Sequence, residues 1–548
     1  MPGGAPLSPL QLAGANQVAK AVRQTYRTAP VPAPSKGLDA ISNLSQMDPA
    51  SAIYLYNLNP TQFGCRVRPG YINWCSNVAG TGGVRTLIPV RGQTSLKQFG
   101  CSVLGITDVT NSGSSPTQVV TFPTQTGNAG YGKFTTVVDT SGDLWVLYCD
   151  EVNGLYYYQA STNTWMKATS GAGAQQISGA DPATFVDVIF YAGRVMFVQS
   201  GTGLGWYIQT AGALWGTVAS QNFGANFAHG GNLNSFWSYT FESVYYLLEY
   251  LVTISDAGDV VLYQGTDITN SADWTLHGKW YIGDLPAGRR MACPYGGDLL
   301  ILSQFGAIAI SNLISGVDIT NPGSFITEKI APALVPLIQA SASQFCWGII
   351  LWPAENALLI TTPLLSSATP QQFLYNQLTK AWAIYQGIPM QCAANWDGVF
   401  YSGTSDQRVL QNTGTQDNVG LSGADTAISF VALGAFSSLD APGIQKQIDL
   451  IRPNFVADQP VSYVVVAQFD YDITEPTGTV PGIAGSSSGW DSSQWDNPVW
   501  GGAGLESQVG MQGGSGMGTS VAIGIVGSSV GNSTLVGYEC SVHAGGFL

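Results

Sequence analysis

Three histidines, His229, His277 and His543, are the whole imidazole supply of this 548-residue chain, and that number bounds its chemistry. A His-rich metal site is excluded, and nothing around any of the three marks it as the base of a Ser-His-Asp system. The phosphate-cradling G-x-x-x-x-G-K-[ST] loop and the zinc-binding H-E-x-x-H helix are both absent. Paired carboxylates for glycoside hydrolysis can come from distant segments of a chain. The Ser-x-Asp-x-Gly-x-Thr-Trp turns of many sialidase propellers are missing, however. Asp470 and Asp472 share one strand face and read as solvent-facing edge charges or as holding a turn cation. The Asp139-to-Asp143 segment suits turn geometry, with calcium as the alternative. The sequence therefore reads as non-enzymatic, with no cofactor and no resident metal.

Two other groups of residues could do physical work. Arg66, Arg68, Arg85, Arg91 and Lys97 cluster in sequence, and the alternation Cys65-Arg66-Val67-Arg68 puts both arginines on one strand face. They suit a phosphate-binding patch or, with acids of a neighbouring subunit, assembly; assembly is favoured. Trp490, Trp495 and Trp500 recur every five residues, a spacing that matches neither one helix face nor one strand face. They read as anchors on a loop between subunits, since buried Trp dominates interface energetics. A sugar-binding platform and a domain core are the alternatives.

The elements that must position these residues are mostly short strands. From about residue 81 to 412, apolar or aromatic runs of four to seven residues alternate with turns such as Ser141-Gly142-Asp143, Asn153-Gly154 and Asp397-Gly398. Hairpins need such turns. Tyr158-x3-Thr162-x2-Trp165 recurs as Tyr375-x3-Thr379-x2-Trp382, and similar Trp-bearing hairpins lie near Trp215 and Trp274. A four-strand unit repeating every 40–50 residues or so predicts a β-propeller of about six blades, six or seven by length. A pair of β-sandwiches would use the same vocabulary.

The ends differ. Ser8-Pro9 opens a helix running to about Arg27, with Ala15, Val18, Val22 and Tyr26 on one face and the basic Lys20, Arg23 and Arg27 elsewhere. Ala29–Ser35 is a Pro-rich extended connector, and a short helix is expected at about Asp48–Leu55. Ile326–Gln339 reads as a helix broken by Pro332 and Pro336. After Gly420, longer strands predict a separate β domain.

Composition agrees with a β protein. Charged residues are 10%, aromatics 11%, and Gly is 67 residues. So few charges cannot clothe a coiled coil or helical array, and the apolar content is ample for a buried core. Residues 1–97 carry nine Lys+Arg against Asp39 and Asp48; the remaining 11 bases face 32 acids. The bulk of the chain thus repels nucleic acid and anionic membranes. No apolar run is long enough for a membrane helix, and no secretory signal is expected. The eight cysteines form no C-x-x-C pair and read as reduced, buried small hydrophobes.

Pro34-Ser35-Lys36-Gly37-Leu38-Asp39, then Met47 to Ala52, then Leu55-Tyr56-Asn57-Leu58-x-Pro60, then Val67-Arg68-Pro69-Gly70-Tyr71 resemble the opening of the tail nozzle (tail tubular B-type) proteins of short-tailed bacteriophages. Later segments resemble the same family in the same order: Trp274 to Gly278, Gly283 to Arg289, Gly296-Gly297-Asp298-Leu299-Leu300, Asn376-x2-Thr379-x2-Trp382, Gly398-Val399-Phe400-Tyr401, Ala427 to Phe430, Arg452-Pro453, the Trp-Asp series and the terminal Gly-Gly. Together they span nearly the whole chain.

The resemblance implies a structural virion protein of the tail, assembled in the host cytoplasm as a homo-hexameric ring beneath the portal and adaptor. It would conduct and gate genomic DNA without sequence recognition, and meet tail fibre or spike proteins and, during infection, the host envelope. It implies a first platform segment over 38–80, a β-propeller over 81–419 and a C-terminal β platform over 420–548; the basic N-terminal arm over 1–37, with its helix at 8–27, goes beyond the shared core and reads as a docking arm from its own residues. Assembly-interface candidates are then Arg66, Arg68, Tyr71, Trp490, Trp495 and Trp500; Lys20, Arg23 and Arg27 are candidates for docking to portal and adaptor. A receptor- or glycan-binding propeller is the alternative, and a glycosidase ranks last.

Overall fold

A computed structural model describes residues 26–92, 96–242, 247–317, 319–365, 369–481 and 506–547. The chain is mainly β, a β-propeller joined to further sheets. Seven antiparallel units follow one another, each led by an inner strand: Thr86–Arg91, Gly132–Val138, Phe185–Tyr191, Leu233–Glu242, Ala292–Tyr295, Gly348–Trp352 and Met390–Trp396. Each inner strand packs against the next unit, the fourth against Asp298–Ser303 of the fifth, and the last returns to the first, which closes the ring. Five units stand alone as four-stranded blades, one of them extended by two short parallel strands. The fifth in order has three strands. The sixth continues through Ala381–Gln386 into a nine-stranded sheet. Separate four-stranded blades thus number five, against the six or so that the sequence predicts, because the fifth unit has three strands and the sixth is merged into the larger sheet.

Closure is made by a distant piece of chain. Ile72–Cys75 supplies the fourth strand of the last blade, pairing Val409 with Cys75 and Gln411 with Ile72. The expected platform segment 38–80 therefore ends inside the propeller. Sequence pattern explains the blades themselves. The Tyr-x3-Thr-x2-Trp self-match is one device used twice: Tyr158 faces Trp165 and Tyr375 faces Trp382 across the last hairpin of their units. Their ring centroids lie 5.1 and 4.9 Å apart at 42° and 43°. Aromatic cross-strand pairs of this kind stabilise a hairpin beyond their buried area.

The platform is a two-layered β structure built from both ends of the chain. One layer pairs the long strands Ile444–Ala457 and Ser533–Phe547, with Tyr26–Pro32 and Gly64–Val67 also on the latter. The other runs Ser51–Tyr56, Ile428–Gly434, Val521–Ser529 and Ser462–Phe469. Between them lies a core that includes Phe430, Ile451, Phe455, Tyr463, Ile525 and Leu535.

Three expectations are corrected. Asp48–Leu55 is not a helix: Ser51–Tyr56 is a strand held between Ala381–Gln386 and Ile428–Gly434, and this pairing overrides a local pattern that fits either period. Residues 8–25 of the expected arm helix lie outside the described residues, and its last two, Tyr26 and Arg27, belong to the strand Tyr26–Pro32. The Pro-rich connector is partly that same strand. Pro30 and Pro32 alternate along an edge, where the missing N–H groups face away from the partner strand. The helix broken by prolines is present as Glu328–Ile330 followed by Ala331–Ser341, with Pro336 inside.

One blade turn carries a testable charge. Asp139 Oδ1 accepts from Ser141 N, Ser141 Oγ and Asp143 N, and Oδ2 accepts from Trp145 Nε1 at 3.0 Å. These bonds, the Ser141 hydroxyl foremost, pull its carboxyl down to about 2. A depressed carboxyl adds stability above its unfolded value near 3.8, and that stability is lost as pH falls through about 2. Asp139→Asn is expected to melt below wild type at pH 5, with the gap closing by pH 2. The group is partly exposed, so the gap should also shrink in high salt. Thermal melts across that range check both points.

Candidate functional site

The ring and the platform meet where the sequence placed its arginine pair. Strand Gly64–Val67 turns Cys65 and Val67 into the platform core and aims Arg66 and Arg68 the other way. Arg68, 3% exposed, grips Asp417 with Nη1 at 2.8 Å and Nη2 at 2.5 Å, donates from Nε to Asn57 Oδ1 at 2.9 Å, and lies 5.8 Å above the Tyr385 ring. Arg66 pairs with Glu355, which also accepts from Asn59 Nδ2 at 3.3 Å. Burial pushes the Glu355 carboxyl up, while Arg66 and Asn59 oppose it. Tyr71 is buried, with the Arg408 guanidinium over its ring. A cleft of about 240 Å³ opens here, lined among others by Arg66, Trp352, Glu355, Asn412 and Thr415.

The sequence alone favours acids of a neighbouring subunit as the arginines' partners. The structure supplies them from the same chain, 289 and 349 residues away. Arg66, Arg68 and Tyr71 are thus brought together, but as a joint between propeller and platform. Arg27 is exposed and lies 3.1 Å from Asp440. Lys20, Arg23, Trp490, Trp495 and Trp500 lie outside the described residues.

A second charged group bridges neighbouring inner strands, and no sequence signal pointed to it. Lys133, on the second inner strand, reaches Asp187 on the third at 3.2 Å and the Phe236 carbonyl on the fourth, with its ammonium 3.8 Å from the Trp237 ring centroid. Asp187 also accepts from Phe236 N at 2.7 Å. Arg289 clamps Glu151 with two bonds of 2.9 and 2.6 Å and holds Asn234 O and Oδ1 with Nη1. Burial raises the Asp187 carboxyl and lowers the Lys133 ammonium, each opposed by its partner. Every charge in the group is paired, so the arrangement locks adjacent blades together and presents no nucleophile.

The remaining candidates are structural as well. Asp470 accepts from Thr519 N and Oγ1, both at 2.8 Å, and Asp472 from Thr474 N and Oγ1. Among the described residues no group of three or more His, Cys, Asp or Glu is placed to hold a metal, and no helix is long and apolar enough to cross a membrane. All eight cysteines are free and buried. Burial pushes the Cys346 thiol up to about 12 and the Cys392 thiol to about 11. The native chain should therefore leave Ellman's reagent unreacted, with all eight thiols appearing only after denaturation. Fast labelling of any cysteine in the folded chain would contradict this packing.

No protein-family model matches the sequence, and no curated protein matches it. Among solved structures it is similar to the extracellular domain of a hybrid two component system from B. thetaiotaomicron, at 10% identity and a TM-score of 0.39 over 80% of this chain. It is also similar to BBS1N from a complex with ARL6DN, at 11% identity and a TM-score of 0.26 over 41% of this chain. The chain spans 57% and 63% of the length of those two.

Proposed function

We propose that this β-propeller protein is a structural subunit of a phage tail nozzle, a ring of six beneath portal and adaptor that guides and gates the genome. The observation that carries the reading is the ordered series of nozzle-like segments along nearly the whole chain. Two physical features support it. The charged side chains between neighbouring inner strands pair with one another, and the reading routes DNA beside the propellers, through a channel framed by the platforms. Six copies carry a formal charge of about −84, and an acidic lumen repels phosphate and lets DNA slide. Ring closure through one repeated heterologous contact also avoids open filaments. In this proposal the work is mechanical and not enzymatic. Tail fibres or spikes would attach outside the ring, and the host envelope would be met at ejection.

Electron microscopy of the assembled particle tests this. A sixfold ring on the tail axis, directly below portal and adaptor, is the expected result. A peripheral or threefold position would overturn it in favour of a receptor- or glycan-binding propeller.

A further inference from the structure

The outer end of the fourth and fifth units carries a groove of about 430 Å³, within the usual size range of ligand pockets. Its walls come from separate elements. Tyr281 ends the strand Thr275–Tyr281. Phe305 sits in the turn between Asp298–Ser303 and Gly306–Ala309. Ile319, Phe325 and Glu328 belong to the excursion that follows, and Val335 to the helix Ala331–Ser341.

Three features of this groove act together. First, three aromatic rings share one space, and Phe305 is 41% exposed although most large apolar side chains here are buried. Gly283 permits the approach of that ring, because a Cβ there would lie 2.5 Å from it. Second, Tyr281 is held in place from outside the groove. The His229 ring stacks on it at 4.0 Å, and His229 is itself fixed by Asp259 through Nδ1 at 2.9 Å and its backbone N–H at 2.7 Å. Third, among the described residues Glu328 is the one charged residue in the lining, and no cation among them pairs with it. Its neighbour Lys329 reaches Asp39 instead.

Aromatic faces with an unpaired carboxylate attract a cation. The apolar walls decide which kind. A primary ammonium is strongly hydrated and brings three N–H donors that need acceptors. A quaternary ammonium has none to satisfy and is covered by methyl groups that suit Ile319, Val335 and the rings. We propose that this groove is a binding site for a small organic quaternary ammonium ion, the ring faces and Glu328 supplying the attraction. The inference is independent of the nozzle reading, since it needs only the folded chain.

Choline and its neutral isostere 3,3-dimethylbutan-1-ol separate charge from shape. Titrating the full chain with each, followed by the tryptophan and methyl NMR signals or by calorimetry, should give saturable binding of choline and at least about tenfold weaker binding of the alcohol. Lysine amide should likewise bind at least about tenfold more weakly than choline. Glu328→Gln and, separately, Phe305→Ala should each weaken choline by about three- to tenfold without moving the melting temperature by more than a degree or two. Equal binding of choline and the alcohol would reduce the site to a plain apolar groove and overturn the proposal. So would equal binding of lysine amide, or no saturable binding of choline at all.

Discussion

Asp187→Ala is expected to destabilise the chain by about 3–5 kcal/mol, read as a fall in the urea midpoint followed by tryptophan fluorescence. The cost comes from what is left behind. Lys133 would keep its buried seat against Trp237 and the Phe236 carbonyl but lose the carboxylate that pairs with it there. The backbone N–H of Phe236 and that of Val188 would lose their acceptor as well. Removing both charges in Lys133→Met with Asp187→Leu should recover most of the loss, because a buried pair replaced by apolar groups of similar volume is often neutral in stability. The pH dependence gives the sign. Burial already lowers the Lys133 ammonium below its ordinary 10.5, and without Asp187 it falls further. A base depressed in the folded state contributes stability that is complete above its unfolded value and lost as pH falls through the folded one. The deficit of Asp187→Ala should therefore be smaller near pH 10 than at pH 7. An equal deficit at both values would mean that Lys133 had found water or another partner.

The same residues show where sequence reading succeeds and where it stops. Hairpins were legible because their turns are local chemistry. Asp397 and Gly398 adopt φ of +49° and +77°, the pair of left-handed values that a two-residue hairpin demands, and the dipeptide announces it. The repeated Tyr-Thr-Trp hairpin was legible for the same reason, as both partners lie within eight residues. The arginine strand was legible as a feature but not in its role. Arg66 and Arg68 stand out by alternation, whereas Glu355 and Asp417 carry no local mark and arrive only when the ring closes. The Lys133 group was wholly illegible: Lys133 and Glu151 sit in the second unit, Asp187 in the third and Arg289 just before the fifth, and each alone looks like an ordinary surface charge. The strand Ser51–Tyr56 was misread because its partners, Ala381–Gln386 and Ile428–Gly434, lie more than 300 residues away.

Arg68→Ala is expected to cost about 3–4 kcal/mol and, unlike Asp187→Ala, to act on the joint between propeller and platform. The guanidinium is the common partner of Asp417, Asn57 and the Pro69 carbonyl, and it covers the Tyr385 ring. Asn57 Oδ1 also accepts from Gln386 N at 2.8 Å, and Asn57 Nδ2 donates to Ser429 O. One side chain therefore links the start of the platform, the sixth unit and the segment leading into Ile428–Gly434. Its loss leaves Asp417 without its cation and opens a side-chain-sized void beside Tyr385. Arg68→Lys should rescue less than half of the deficit, because an ammonium cannot reproduce the two parallel bonds to Asp417 together with the Nε bond to Asn57. The two variants should also fail in different places. With Asp187→Ala the blades loosen while the platform core around Phe430, Phe455 and Tyr463 stays protected. With Arg68→Ala, protection is lost first in Ser51–Tyr56 and Ala381–Gln386. Amide hydrogen exchange read by mass spectrometry distinguishes these patterns. Identical exchange in the two variants would mean that ring and platform unfold as a single cooperative unit, and that the Arg68 cluster is part of one continuous core.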